Sequence, residues 1–270
     1  MTIIHTAEEA AKNAEYKNVV TQLLYQLADD DFIVAFRGSE WLGLAPHIEA
    51  DVAYSSITQN TMGHAAYFYQ LLEELGQGPK NKLAHERSAN ERRNATYLEI
   101  KNGDGEYDQD PYYDWALAVI RGFFYETFKR VRLQMLKNCS YVPLTHAANR
   151  MLAEQTYHLA YWKMWVNQLQ SSSATAKQKL DTRIQEAWNE CLDLLQLGDQ
   201  QEKMIVYQLM PEESLIEKQW IHELSKTLVQ VPDRPLQKVF SGRKGEHTKD
   251  LEQAIDTLSE VYRLEEHAVW

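Results

Sequence analysis

Positive charge is scarce in this sequence: 28 Lys and Arg stand against 39 Asp and Glu, a formal net charge of −11. A nucleic-acid reader needs a basic face for phosphates, and an anionic leaflet would repel an acidic surface, so both partner classes are excluded on charge. Cysteine is nearly absent. Cys139 and Cys191 match no zinc spacing and are too few for a disulfide framework, which points to a reducing, cytoplasmic setting. Long apolar runs are missing too: no stretch approaches the ~18 residues of a membrane span, and residues 1–18 lack the apolar core of a signal peptide. Only 11 Gly and 7 Pro accompany 15 Tyr and 7 Trp, so tight turns are few and long helices fit better than many short strands. No Walker or GxGxxG segment is present, nor any Ser or Cys arrangement suited to nucleophilic catalysis.

What the chain does have is a hydrophobic period of 3.6. It predicts a helix over about 15–41, with Val20, Leu24, Leu27, Val34 and Gly38 on one stripe. A second helix begins near Pro46 and runs to about Leu75, turning Ile48, Val52, Ile57, Phe68, Leu71 and Leu75 inward. The polar stretch 80–112, with Gly103 and Gly105, reads as a long connection. A third helix is expected over about 111–136 and a fourth over 145–170, followed by helices over 175–197, 211–229 and 246–266. Four long helices with a crossover after the second describe an all-α, ferritin-like four-helix bundle. The expected organisation is a single domain over 1–270, with its core bundle at about 15–171 and a helical C-terminal extension at about 174–270.

Polar residues on the inward stripes carry the functional information. Steps of three and four place Asp31 in the seam of the first helix, His64 in the second, Glu126 in the third and His158 in the fourth. Four buried ionisable groups without partners would cost several kcal/mol each, so they must pair with one another or hold a cation. A di-iron bundle takes a carboxylate from two helices and Glu-x-x-His from the other two. Here Thr61 stands three residues before His64, and Gln155 three before His158, so both bridging glutamates are missing. Glu154 is the one further carboxylate near His158. By charge count, a hydrogen-bonded and ion-paired network is favoured over a single metal held by Asp31, His64, Glu126 and His158.

Several segments together carry a family resemblance: Glu40-Trp41-Leu42-Gly43 with Ala45-Pro46, Gly63-His64-Ala65, Tyr157-His158-Leu159, residues 242–248 (GRKGEHT) and the closing Trp270. They are similar to the C-subunit family of the bacterial phenylacetyl-CoA epoxidases, from about Asn18 onward. The resemblance implies a ferritin-like, non-catalytic structural subunit of a ring-epoxidising monooxygenase complex in aerobic phenylacetate catabolism. It further implies a hetero-oligomer, no cofactor in this chain, di-iron in a catalytic partner subunit, and contacts with the reductase and with the CoA moiety of the substrate. The alternative from another class is an independent metal-binding oxidase or oxygenase using Asp31, His64, Glu126 and His158.

Two cationic segments remain. Arg243, Lys244 and His247 precede the last helix, where backbone N–H groups and two cations suit a phosphate, making them a candidate contact for CoA or a partner; the plain reading is a helix-entry loop. Lys80, Lys82, Arg87, Arg92 and Arg93 form the most basic stretch, expected as a solvated loop with a partner surface as the competing view. Tyr161, Trp162 and Trp165 read as core or subunit interface.

Overall fold

The computed structural model describes residues 2–107, 109–232 and 241–265. Its architecture is all-α and ferritin-like, with one two-stranded hairpin among the described residues. After the short α1 (Ala7–Ala11), the Asn13 side chain accepts the Tyr16 N–H and starts α2 (Ala14–Ser39). A turn over 40–47, with Gly43 at φ 80° and its N–H held by Asp51, reverses the chain into α3 (Ile48–Glu74). His47, not Pro46, provides the cap: its Nδ1 accepts the Ala50 N–H at 3.2 Å. The second helical pair is α5 (Trp115–Leu136), capped by Asp114, and α6 (Val142–Ser171), which takes Pro143 in its first turn, where a missing N–H costs nothing.

Between the pairs, the crossover is an ordered structure and not the open polar loop expected. It carries α4 (Lys80–His85), two 3-10 turns at Ala89–Glu91 and Thr96–Glu99, and the hairpin of β1 (Gly103–Glu106) and β2 (Gln109–Tyr113). Arg92, Asn94, Ala95, Tyr97, Leu98 and Glu99 are all buried. The period-2 pattern of the hairpin is too short to register in the sequence, and its outward strand faces stay wet.

Beyond α6 the chain forms α7 (Ala174–Glu190), a 3-10 turn at Cys191–Leu195, α8 (Gln201–Val206), α9 (Glu213–Leu224) and α10 (Lys249–Leu264). Helices α7 and α9 pack on α5, while α8, α10 and the crossover pack on α2. Consequently α2 and α5 are buried on nearly every side. The apolar stripe of α3 is narrower than expected: Ile57, Phe68, Leu71 and Leu75 face inward, but Ile48 is 70% and Val52 61% exposed, on a side that no described element covers. Both cysteines are buried and free. No described helix is long and apolar enough to cross a membrane. Trp270 lies outside the described residues.

Candidate functional site

Asp29, Asp30 and Asp31 occupy consecutive positions of α2 and are all essentially inaccessible. Successive side chains on a helix point about 100° apart, so each carboxylate meets a different set of partners. Asp29 accepts from the Tyr69 hydroxyl at 2.6 Å, from the Arg87 guanidinium and from the Arg93 N–H. Burial works against this carboxylate, but Arg87 and Arg92 outweigh it and hold its pKa below the ordinary value. Asp30 receives both Nη atoms of Arg243 at 2.7 and 2.9 Å, Arg132 at 2.9 Å and the Ala95 N–H.

Asp31 points into the bundle, and there the decisive residue is Lys129 of α5. Its ammonium donates to Asp31 Oδ1 at 2.6 Å and to His64 Nδ1 at 2.8 Å. Because an ammonium only donates, Nδ1 accepts, and the His64 Nε2–H is left to donate to Glu154 Oε2 at 2.8 Å. Burial, reinforced by the Lys129 charge, depresses the His64 pKa far below its usual value, which keeps the ring neutral. Asp31 also accepts from the Tyr125 hydroxyl at 2.6 Å. Desolvation still dominates and pushes its pKa up to about 6, against the opposing pull of Lys129.

A second cluster adjoins the first. Glu126 Oε2 accepts from the Gln155 amide and lies 3.3 Å from His158 Nδ1; His158 Nε2 is 3.4 Å from the Asn60 amide. Burial raises the Glu126 carboxyl, but the hydrogen bond and charge of His158, with Lys129 and Gln155, outweigh it and hold the group below its ordinary value. The two imidazoles lie nearly parallel with centroids 6.3 Å apart. Thr61 donates its hydroxyl to the Ile57 carbonyl at 2.9 Å and lines a small cavity together with Glu126.

The structure therefore brings Asp31, His64, Glu126, Glu154, Gln155 and His158 into one neighbourhood. It does not arrange them as metal ligands. No group of three or more His, Cys, Asp or Glu among the described residues is disposed to hold a metal ion. A cation already stands between Asp31 and His64, and the Gln155 amide donates where a bridging carboxylate would accept. The donor set does not fit an iron pair.

The expected cationic loop is corrected in the same way. Arg243 is buried on Asp30, and His247 Nδ1 bonds Glu99 Oε1 at 2.5 Å. Glu99 Oε2 takes the Thr248 N–H and hydroxyl at 2.9 and 2.7 Å, so the chain's own carboxylate occupies the N-terminus of α10 where a phosphate was anticipated. Only Lys244 stays at the surface, 2.7 Å from Asp199. In the basic stretch, Arg87 and Arg92 are drawn inward to Asp29, and Arg93 is bound to the Asn90 and Arg92 carbonyls, whereas Lys82 remains exposed beside Glu86. Trp162 and Trp165 belong to the core, edge-on to Tyr54 and Trp115 at 4.9 and 5.0 Å.

Sequence comparison agrees with the motif resemblance: the profile of the phenylacetic acid catabolic protein family matches residues 1–270. The chain belongs to that family. The C subunit of the 1,2-phenylacetyl-CoA epoxidase of Escherichia coli (strain K12) is 22% identical over 252 residues, which span 92% of this chain and 97% of that protein. Lys129, Tyr125, Asp29, Asp30 and Arg132 complete the site beyond the residues expected from spacing. Signals for them existed. Lys129 follows Glu126 by three on the α5 seam, and three adjacent aspartates interrupt the mostly apolar stretch 23–36 of α2.

Proposed function

We propose that this chain is the non-catalytic, structural subunit of a phenylacetyl-CoA epoxidase. The observation that carries the reading is the Lys129 ammonium between Asp31 and His64, which gives the interior its counter-charge without a metal. Thr61 and Gln155, in place of two bridging glutamates, support it, as does the relation to an epoxidase subunit. Dioxygen activation then belongs to a catalytic di-iron subunit, and this bundle's task is to hold that subunit in a rigid, competent shape within a cytoplasmic hetero-oligomer that also receives electrons from a reductase. Its remaining candidate contact for the CoA phosphates is the exposed Lys244.

An independent metal oxidase would need Asp31 and His64 to release Lys129 before binding iron. The test is turnover of a phenylacetyl-CoA substrate with iron and reductant supplied: the chain alone should be inactive, and activity should appear on adding the di-iron subunit. Epoxidation by the isolated chain would refute the reading.

A further inference from the structure

Burial is distributed unevenly across the four long helices. Helix α2 buries 17 of its 26 residues and α5 18 of 22, whereas α3 buries 10 of 27 and α6 10 of 30. The crossover and the C-terminal helices pack mainly on α2 and α5; α4 also touches α3 and α7 touches α6, but a stripe of α3 through Val52, Gly63 and Gln70 and one of α6 through Ala153, Tyr157 and Met164 stay exposed. The side they form is continuous, because α3 and α6 are joined along their length by His64 with Glu154, Tyr161 with the Ala50 carbonyl, and His47 stacked on Trp165.

Its composition is unlike the rest of the surface. In a chain with 25% charged residues, no residue of α3 between Val52 and Gln70 is Asp, Glu, Lys or Arg, and between Ala153 and Met164 of α6 the charged residues are the half-buried Glu154 and Lys163. Val52, Tyr157 (78% exposed) and Met164 (50%) are large apolar groups left in water. Such faces mark protein contacts.

Gly63 supplies an independent indication. Glycine weakens a helix interior relative to alanine, so a glycine in mid-helix calls for a cause. For Gly38 and Gly122 the cause is internal: a Cβ would strike Thr58 in the first case and the Trp162 ring in the second. At Gly63 a Cβ would meet nothing within 4 Å. No described residue requires the missing side chain, and the position lies within the stretch of α3 that carries no charged residue, where it permits close approach from outside.

Charge selects the occupant. Glu154, its side chain 35% exposed between the two helices, uses Oε2 on His64, and its Oε1 has no hydrogen-bond partner among the described residues. A second copy would set two bodies of net charge −11 against each other across a two-fold, each with its own Glu154. We infer that the outer face of α3 and α6 is the docking surface for the helices of a second, ferritin-like subunit that brings a cationic side chain to Glu154. The inference rests on the reading of this chain as an epoxidase subunit.

The test uses the full chain and the purified di-iron subunit of the epoxidase from the same source, with association followed by sedimentation. Gly63→Arg and Tyr157→Asp should each weaken association tenfold or more while leaving the melting temperature of the chain alone unchanged, and Glu154→Gln should flatten the salt dependence of binding. Lys179→Glu, on the charged outer face of α7, should bind as wild type. Wild-type affinity in both Gly63→Arg and Tyr157→Asp would overturn the docking surface and leave the function intact, and so would a homodimer of this chain that Gly63→Arg disrupts. Failure of the wild-type chain to bind the di-iron subunit at all would instead remove the functional reading on which the inference stands.

Discussion

Lys129 and Asp31 form a buried ion pair in which each group depends on the other for its charge. Removing one partner of such a pair costs about 3–5 kcal/mol, because the remaining charge is stranded. Lys129→Met should therefore destabilise the chain by about that amount in urea unfolding, and adding Asp31→Asn should recover much of it. Titration tests the same pair together with His64. The His64 pKa is depressed from 6.5, so below about pH 6.5 the unfolded chain binds the extra proton and stability is lost as pH falls. Asp31 has the opposite sign: raised from 3.8 to about 6, it binds its proton first in the folded state, and its contribution is lost as pH rises through that window. Between pH 6 and 4 the two slopes oppose. Asp31→Asn should lose stability on acidification over this range and His64→Gln should gain, each relative to wild type, and parallel curves for all three would show that neither group titrates as described. Asp31 Oδ2 and Arg132 Nε and Nη2 have no hydrogen-bond partner among the described residues, and both side chains line a cavity of about 10 Å³. That volume is at the limit for one water, so a high-resolution crystal structure should show a single ordered water bridging them.

Helix α5 is the element on which packing and polar chemistry converge, since it supplies Tyr125, Glu126, Lys129 and Arg132 while touching α6, α7 and α9. Its approach to α6 depends on Gly122 lying against the Trp162 ring. Gly122→Ala should cost about 1–3 kcal/mol through overpacking, despite the better helix propensity of alanine. An unchanged or raised melting temperature would mean that the two helices separate more easily than the structure implies. The long helices were legible because a 3.6-residue period sustained over five or more turns admits no other element. Ile48 and Val52 were misplaced for an equally physical reason: periodicity identifies an apolar face but cannot say whether the chain itself covers it. The crossover was misread because its burial comes from long-range pairs, Arg87 and Arg92 with Asp29 and Glu99 with His247, which leave no local periodicity.

At the scale of the whole molecule, the charge of −11 is achieved with the acidic excess on the outside and near-balance within. The interior carboxylates Asp29, Asp30 and Asp31 are met by Arg87, Arg92, Arg132, Arg243 and Lys129, and Glu126 by His158. Asp31, His64, Glu126 and His158 could be placed in one interior from spacing alone, but the cation among them could not, since a lysine on a helix seam reads as an exception until its partners are located. Arg243 was read as a surface cation for the same reason: its partner Asp30 lies 213 residues away. The account turns on whether this interior is closed to metal by its own ammonium. Iron bound per chain after anaerobic loading with ferrous iron and desalting tests that most directly: the wild type should retain far less than a stoichiometric amount, and retention of one or more iron ions per chain, with Lys129 displaced from Asp31, would contradict it.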